Sequence, residues 1–140
     1  MDIRSAEISD SEAVIALWQR CGLTRPWNEP AADFAAALAN PTSDVLLIAD
    51  ADAPIASVMV GYDGHRGWVY YLAVDLAHRR AGLGRRMMAA AEAWLRERGA
   101  PKIQLMVRED NAAAIGFYEA IGLERQPVVT LGRRLDIGKA

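Results

Sequence analysis

Residues Arg79-Arg80-Ala81-Gly82-Leu83-Gly84 decide the fold, because they join two segments of different periodicity. Before them, residues 68–74 are a nearly continuous run of aromatic and β-branched side chains, which predicts a central strand buried on both faces. After them, apolar residues recur at helical spacing and predict a helix over residues 83–98, which Gly99 and Pro101 end.

This strand and helix, with a further buried strand predicted at residues 103–107, make a βαβ unit. The two strands of such a unit run parallel, and the crossover between them is right-handed. Beyond it, Asp110 or Asn111 caps a helix that Gly122 ends, and residues 128–131 are predicted to form a last strand.

The first half of the chain supplies the other elements. In order, these are a short edge strand at 2–7, a helix with apolar residues from Val14 to Cys21, a structured loop with two prolines at 24–30, an alanine-rich helix at 31–39, two antiparallel strands at 45–49 and 54–62, and a tight turn at 63–67. The complete order predicts an α/β fold with one mixed, mostly antiparallel sheet, a central parallel βαβ unit and helices on both faces.

The composition is that of one soluble globular domain over residues 1–140, with 52% hydrophobic and 24% charged residues. The formal net charge of -2 gives no electrostatic reason to expect nucleic acid or an anionic membrane as a partner. The single cysteine, Cys21, excludes an internal disulfide and fits a reducing cytoplasm. The start of the chain lacks the apolar region of a signal peptide. We therefore expect a cytoplasmic protein without a metal site.

The turn at residues 79–84 carries groups that bind phosphate. A helix N-terminus presents unpaired amide N–H groups and about half a positive charge. Gly82 and Gly84 let an oxygen-rich ligand approach the backbone closely. Positive charge is added by four arginines, Arg79, Arg80, Arg85 and Arg86. These features favour a diphosphate; the alternative is a plain turn with solvated arginines. A dinucleotide motif would need a third glycine after the first strand, and a Walker A loop would need Gly-Lys-Ser/Thr.

Two linked motifs resemble those of the GNAT N-acetyltransferases. The first is Arg79-x-x-Gly82-x-Gly84 after Leu72-Ala73-Val74, and the second is Asn111-x-x-Ala114-x-x-x-Tyr118-x-x-x-Gly122-Leu123. One strand separates them, as in that family, and the predicted order of elements is the family's order. The loop at 24–30 and the turn at 63–67 are similar to those of a small bacterial subgroup of acetyltransferases.

The resemblance implies a direct transfer of an acetyl group from acetyl-CoA, the co-substrate, to a primary amine of a small molecule or peptide, without an acyl-enzyme. It implies that the backbone of Leu72 and Val74 pairs with the pantetheine arm, and that an amide near Val74 polarises the acetyl carbonyl. It also implies that the pyrophosphate is held by the turn, at Arg79, Arg80, Ala81, Gly82, Leu83, Gly84 and Arg85.

Asn111 and Tyr118 lie seven residues apart, which places them on one face of the predicted helix. By resemblance, Asn111 contacts the pantetheine arm and Tyr118 donates a hydrogen bond to the departing thiolate. The structural alternatives are a plain helix cap for Asn111 and a core aromatic for Tyr118.

The general base and the acceptor pocket follow less directly from the sequence. In one branch of the family a glutamate precedes the asparagine on the strand, and Met106 occupies that place here. Asp63 is the expected base, and the other candidates are His65, Glu29, Asp33 and Glu109. The loop residues Trp27 and Asn28 are predicted to contact the acceptor.

Two rival functions are a non-catalytic acyl-CoA-binding module that regulates a partner, and a nucleotide-binding enzyme. Tyr118 argues against the first, and the incomplete glycine motif argues against the second. The sequence leaves open the acceptor, the use of other acyl groups and the oligomeric state, a homodimer included.

Overall fold

The computed structural model describes residues 1–136, and the chain falls into two compact units, Met1–Met106 and Val107–Ala140. The prediction of one domain over residues 1–140 includes residues 137–140, which lie outside the described residues.

The first unit is built on a five-stranded mixed sheet with the strand order β1-β2-β3-β4-β5. The strands are β1 (Ile3–Ser5), β2 (Ser43–Asp50), β3 (Ala53–Tyr62), β4 (Gly67–Val74) and β5 (Ile103–Gln104). Neighbouring strands are antiparallel except β4 and β5, which are parallel. The predicted α/β class, mixed sheet and parallel βαβ unit are confirmed.

Helices cover both faces of this sheet. The helices of the first unit are α1 (Ser11–Arg20), α2 (Pro30–Ala39) and α3 (Leu83–Glu97). On β2, Val45 and Leu47 pack in one core cluster with residues of α1 and α2. Leu46 and Ile48 point to the opposite face of the sheet and are also buried. The helix α3 contacts β2, β3 and β4, and its predicted apolar stripe, which includes Met87 and Trp94, is buried.

The second unit contains one helix, α4 (Ala112–Ala120), among its described residues. Asn111 is its N-cap, as predicted, and Gly122 follows its end with a φ of 99°. The prediction of a last strand at residues 128–131 is wrong: these residues have no strand structure, and Val129 is 87% exposed. A strand needs a hydrogen-bonding neighbour, and residues 107–136 contain no other strand.

Two further predictions about strands need correction. The strand predicted at 103–107 pairs only over Ile103–Gln104, and both residues are half-buried. The strand β4 is not buried on both faces, because Tyr70 is 45% exposed and Tyr71 and Leu72, which follow it, are half-buried. A continuous apolar run indicates a strand, but it does not tell how far the neighbouring strand accompanies it.

Gly67 begins β4 where the side chain of Leu95 from α3 packs directly on the strand. A Cβ atom at Gly67 would stand 2.5 Å from Leu95 Cδ1 and 2.6 Å from Leu95 Cδ2, far inside van der Waals contact. Leu95 is buried in α3, so its side chain has little room to move.

We predict that Gly67→Ala lowers the free energy of unfolding by about 1–3 kcal/mol, the usual cost of overpacking a core. Gly61→Ala is the matched control, because a Cβ there would meet its nearest atom at 3.4 Å. We expect the control to change stability by less than about 1 kcal/mol. Urea unfolding of both variants provides the measurement, and equal effects would contradict the close approach of α3.

Candidate active site

A β-bulge interrupts β4 in the middle of the sheet. The register passes from Ser57 opposite Ala73 to Met59 opposite Tyr70, so β4 has one residue more than β3 over this interval. Tyr71 lies within the bulge and has a φ of 52°, a left-handed conformation that non-glycine residues rarely adopt. Residues held in such conformations cluster at functional sites, where the surrounding packing imposes them.

Packing and hydrogen bonds hold Tyr71 in this conformation. The ring of Trp18 stacks on the ring of Tyr71, with centroids 3.9 Å apart and planes 7° apart. The indole Nε1–H of Trp18 donates to Ser57 Oγ at 2.9 Å, and the Ser57 hydroxyl donates to the Tyr71 carbonyl at 3.2 Å. Ser57 is the buried polar residue of an otherwise apolar strand. Its hydroxyl therefore connects α1 to the bulge.

The strands β4 and β5 stay together over two residue pairs only. These are Gly67 with Ile103 and Trp68 with Gln104. Beyond Trp68, no described residue pairs with β4 on that side of the sheet. The remaining backbone of β4 therefore forms an open edge inside the βαβ unit.

Val74, near the end of β4, directs its backbone groups toward this open edge. Asp75 N–H donates to Ile55 O at 2.8 Å, and the alternation of an antiparallel ladder then turns the N–H and C=O of Val74 away from β3. The Val74 carbonyl accepts the Cys21 thiol and Arg79 Nε, each at 3.4 Å. The Val74 N–H, which points to the same side, is the group that can donate to a ligand.

The turn that follows β4 ends in a helix N-terminus without a side-chain cap. Arg80 and Gly82 both have a φ of 75°, and Gly82 is the N-cap of α3. Within residues 1–136, none of the backbone amides from Arg80 to Arg85 donates a hydrogen bond to a protein acceptor. Successive amides in a turn with left-handed residues form a concave anion-binding surface, and the N-terminus of α3 adds its dipole.

The arginines around the turn differ in their partners. Arg86 Nη2 donates to the carbonyl of Met1 at 2.6 Å, so its guanidinium is held against the start of the chain. Arg80 and Arg85 are exposed and form no ion pair with any described residue. The side chains of these two arginines are therefore available to a ligand at the turn, whereas that of Arg86 is held by a backbone carbonyl.

A cleft with a volume of about 530 Å³ lies between α2 and the sheet, and Tyr71 is one of the residues that line it. The Tyr71 hydroxyl donates to Asp33 Oδ2 at 2.7 Å. Burial and the Asp33 carboxylate raise the pKa of Tyr71, so its phenol is protonated at any physiological pH. The cleft is lined by Leu23, Asn28, Asp33, Ala36, Ala37, Asn40, Ser43, Met59, Val60, Gly61, Tyr70 and Tyr71.

In the second unit, Asn111 Oδ1 accepts the Ala114 N–H at 3.1 Å, so the side chain acts as a helix cap. Burial raises the pKa of Tyr118 to about 12, and its ring makes an edge contact with Phe117 at 5.1 Å. A phenol with this pKa stays protonated up to pH 10 and above, and is a hydrogen-bond donor throughout that range.

A family model described as the acetyltransferase (GNAT) family matches residues 11–123, most of the chain. The chain belongs to this family. An acetyltransferase of Pectobacterium atrosepticum is 48% identical over 136 residues, which are 96% of both chains. An uncharacterized N-acetyltransferase of Yersinia pestis is 45% identical over 138 residues, 98% of this chain and 97% of that one. The protein is thus an acyl-CoA-dependent acetyltransferase, and both of these relatives are bacterial.

A solved structure shares the fold at lower identity. It is the aminoglycoside acetyltransferase AAC(6')-Iy in complex with a bisubstrate analogue, CoA-S-monomethyl-acetylneamine. It superposes with a TM-score of 0.80 at 17% identity, over 95% of this chain and 97% of that chain. At this identity the likeness shows the fold alone.

In the present chain, the residues predicted to act on the acceptor have surroundings that differ from one another. Asn28 lines the cleft, whereas Trp27 is 53% exposed and does not line it. The Asp63 carboxylate accepts the N–H groups of His65 and Arg66 and the indole of Trp68, and these bonds lower its pKa. These bonds place Asp63 in the hairpin turn, outside the cleft lining.

Of the other predicted bases, Asp33 alone lines the cleft; Glu29 and His65 do not, and Glu109 belongs to the second unit. Sequence reasoning did not select Tyr70, Tyr71 and Ser57. Two adjacent tyrosines and one serine among apolar strand residues were the available signals.

No group of three or more His, Cys, Asp or Glu side chains among residues 1–136 could hold a metal ion. No helix in the described part of the chain has the length and hydrophobicity to cross a bilayer.

The hydrogen bond between Trp18 and Ser57 can be tested by a double-mutant cycle. Ser57→Ala leaves a buried indole N–H without an acceptor, which we expect to cost about 1–3 kcal/mol of unfolding free energy. Trp18→Phe removes both the donor and part of the stack. In the double variant, Trp18→Phe removes the indole N–H that Ser57→Ala would leave unsatisfied. The double variant should therefore lose less unfolding free energy than the sum of the two single losses. Additive losses in urea unfolding would show that the pair is not coupled.

Proposed function

We propose that the acetyltransferase binds acetyl-CoA along the turn and the open edge of β4, and transfers the acetyl group directly to a primary amine bound in the cleft. One observation carries this proposal: Tyr71 has its backbone in the bulge beside that edge and its side chain in the cleft. The same residue therefore adjoins the place for the donor and the place for the acceptor.

The turn fits a diphosphate. Six successive amides from Arg80 to Arg85 lack protein acceptors among the described residues, and Arg80 and Arg85 add charge beside them. Amides that are fixed in place bind a doubly charged group without reorganising, and the dipole of α3 strengthens the attraction. We assign the binding of the coenzyme A pyrophosphate to residues 79–85. Besides Arg80 and Arg85, this segment contains Arg79, Ala81, Gly82, Leu83 and Gly84.

The open edge of β4 fits the pantetheine arm, which has amide groups of its own. Leu72 lies in the bulge and Val74 directs its N–H away from β3, so a ligand can take the position that β5 leaves. In this arrangement the Val74 N–H donates to the thioester carbonyl oxygen. It stabilises the negative charge that develops there when the amine attacks.

In the transfer step, the nitrogen of a neutral amine forms a bond to the carbonyl carbon and the carbon–sulfur bond breaks. The nitrogen loses one proton as the amide forms. The sulfur leaves with the bonding electron pair and gains one proton, so the products are an amide and free coenzyme A. We assign to Tyr118 the hydrogen bond to the departing sulfur, and to Asn111 a contact with the pantetheine arm. These two assignments rest on the motif and on the protonated state of Tyr118.

On the acceptor side, we propose Asn28 as a contact because it lines the cleft. Trp27, at the neighbouring position, stays a prediction, as does Asp63 as the base. The lowered pKa of Asp63 and its three hydrogen bonds support a structural role in the hairpin. Acetyl-CoA as the acyl donor and a cytoplasmic location are further parts of this proposal.

The rival function is a non-catalytic module that binds acyl-CoA and regulates a partner. The two functions differ in one observable, the release of free thiol from acetyl-CoA in the presence of amines. Amine-dependent release supports the enzyme. Tight binding of acetyl-CoA without release by any amine of a broad panel supports the module, and binding of ATP or NAD without coenzyme A contradicts both.

The assignment of the turn predicts that Gly82→Val weakens binding of coenzyme A by about tenfold or more, because a branched Cβ blocks close approach to the amides. Gly99→Val is the matched control: Gly99 follows the other end of α3 and has a φ of 78°, against 75° for Gly82. Both variants bear similar backbone strain. Equal coenzyme A affinity of the two variants, measured by calorimetry, would contradict the assignment.

The assignment of Tyr118 predicts that Tyr118→Phe lowers kcat by about 10²-fold with little change in the affinity for acetyl-CoA. The raised pKa has a further consequence. An acid whose folded-state pKa rises from 10.0 to about 12 keeps its proton as the pH approaches 10. The wild-type kcat should therefore show no loss near pH 10 due to this phenol, and a Tyr118-dependent decline between pH 8 and 10 would contradict the assignment.

A further inference from the structure

The cleft beside Tyr71 has a single charged side chain. Asp33 is the only acidic or basic residue among the twelve that line it, and the others are apolar, aromatic or neutral polar. Asp33 lies in the first turns of α2 and is half-buried. It forms no ion pair with any residue in the described part of the chain. The cleft therefore carries one net negative charge without a protein counter-ion.

The bulge places two aromatic rings in the same cleft. Successive residues of a regular strand point to opposite faces, yet Tyr70 and Tyr71 are adjacent and both line the cleft. The left-handed φ of Tyr71 breaks the alternation at this point. Aromatic faces next to a carboxylate attract cations, both by charge and through the ring quadrupole.

Asp33 and Tyr71 together present hydrogen-bond acceptors to the cleft. The Tyr71 hydroxyl uses its proton to donate to Asp33 Oδ2 at 2.7 Å. Its oxygen lone pairs and the remaining carboxylate oxygen of Asp33 are then acceptors. An ammonium group, which has three donors and no acceptor, complements this set, whereas a carboxylate or phosphate does not.

From these three features we infer that the cleft binds the acceptor as an alkylammonium ion, with Asp33 as its counter-ion and proton acceptor, and that it rejects amines bearing a nearby carboxylate. The inference rests on the proposed function and adds the charge class of the substrate. The alternative role of Asp33 is a stabilising charge near the N-terminus of α2 and nothing more.

The proton balance of the reaction fits this role. The bound ammonium transfers one proton to the Asp33 carboxylate and becomes a neutral amine with a free lone pair. That amine attacks the thioester, the C–N bond forms, and the C–S bond breaks. The nitrogen loses a second proton as the amide forms, and the thiolate gains one. The net change is one proton, which Asp33 returns to water after each turnover.

Three amines of equal chain length test the charge preference: n-butylamine, 1,4-diaminobutane and 4-aminobutanoate. We expect the wild type to use the first two with a kcat/KM at least about tenfold above that for 4-aminobutanoate, because the carboxylate meets the Asp33 charge. NMR titration of the three amines in the presence of coenzyme A measures their binding and gives the same comparison without turnover. Equal use or equal binding of 4-aminobutanoate, or no saturable binding of n-butylamine, would overturn the inference.

Two pairs of variants test the residue itself. Asp33→Asn removes the charge and keeps the size, and we expect n-butylamine to bind about tenfold more weakly and kcat/KM to fall about 10²-fold. Glu12→Gln, an exposed carboxylate of α1 outside the cleft, is the control and should match the wild type. Ala36→Lys places a cation in the cleft at an exposed helix position, and Ala35→Lys places one beside it but outside the lining. Of these two lysine variants, only Ala36→Lys should weaken amine binding.

Acetyl-CoA affinity separates the two levels of the proposal. If the wild type binds acetyl-CoA and the two cleft variants still bind amines as their controls do, the cleft inference is wrong and the acetyl-CoA assignment stands. If the wild type does not bind acetyl-CoA but the amine results hold, the proposed function is wrong and the cation site stands.

Discussion

The left-handed conformation of Tyr71 is the constraint on which the site depends. A non-glycine residue in this region costs about 1–3 kcal/mol, so other contacts have to favour it. They are the stack on Trp18, the Ser57 hydroxyl that donates to the Tyr71 carbonyl, and the bond of the phenol to Asp33. The helices α1 and α2 thus act on the same strand residue from different directions. The bulge and the aromatic wall of the cleft follow from it.

In the proposed arrangement, the donor and the acceptor meet different kinds of chemical group. The features that fit coenzyme A are backbone amides: those of residues 80–85 and the N–H of Val74. The features of the cleft are side chains, among them Asp33 and the two tyrosines. A diphosphate needs many donors at fixed positions, which a turn and a helix N-terminus provide. An acceptor is recognised by charge and shape, which side chains provide.

The sequence predicts those parts of the structure that depend on local patterns. The strand and helix on either side of Arg79–Gly84 were predictable, because periodicity and the two glycines act within a few residues. The helix cap at Asn111 was predictable for the same reason. The bulge at Tyr71 was not, because it arises from the register of two strands and from a tryptophan some fifty positions away in the chain. The short pairing of β5 and the absence of a strand at residues 128–131 depend in the same way on which neighbouring strand is available for hydrogen bonding.

The same distinction applies to the candidate site residues. A motif can indicate the turn proposed to bind phosphate, since the groups assigned to that ligand are the amides of consecutive residues. It cannot indicate Asp33 over Asp63, since both are acidic residues next to loops. The difference lies in their surroundings: the Asp63 carboxylate accepts three hydrogen bonds within its own hairpin, whereas that of Asp33 accepts one from another element and lines the cleft.

Because β5 pairs with β4 over two residues only, the sheet has a fork within its βαβ unit. A fork gives an extended ligand the place of a missing strand segment, where main-chain hydrogen bonds do not depend on which side chains surround them. With the proposed binding of the acyl donor at this fork, substitutions on α2 change the lining of the cleft and leave the donor's contacts in place. Such a scaffold can diverge in what it modifies while it keeps one source of acyl groups, and the forked sheet is the physical reason that these two properties can vary independently.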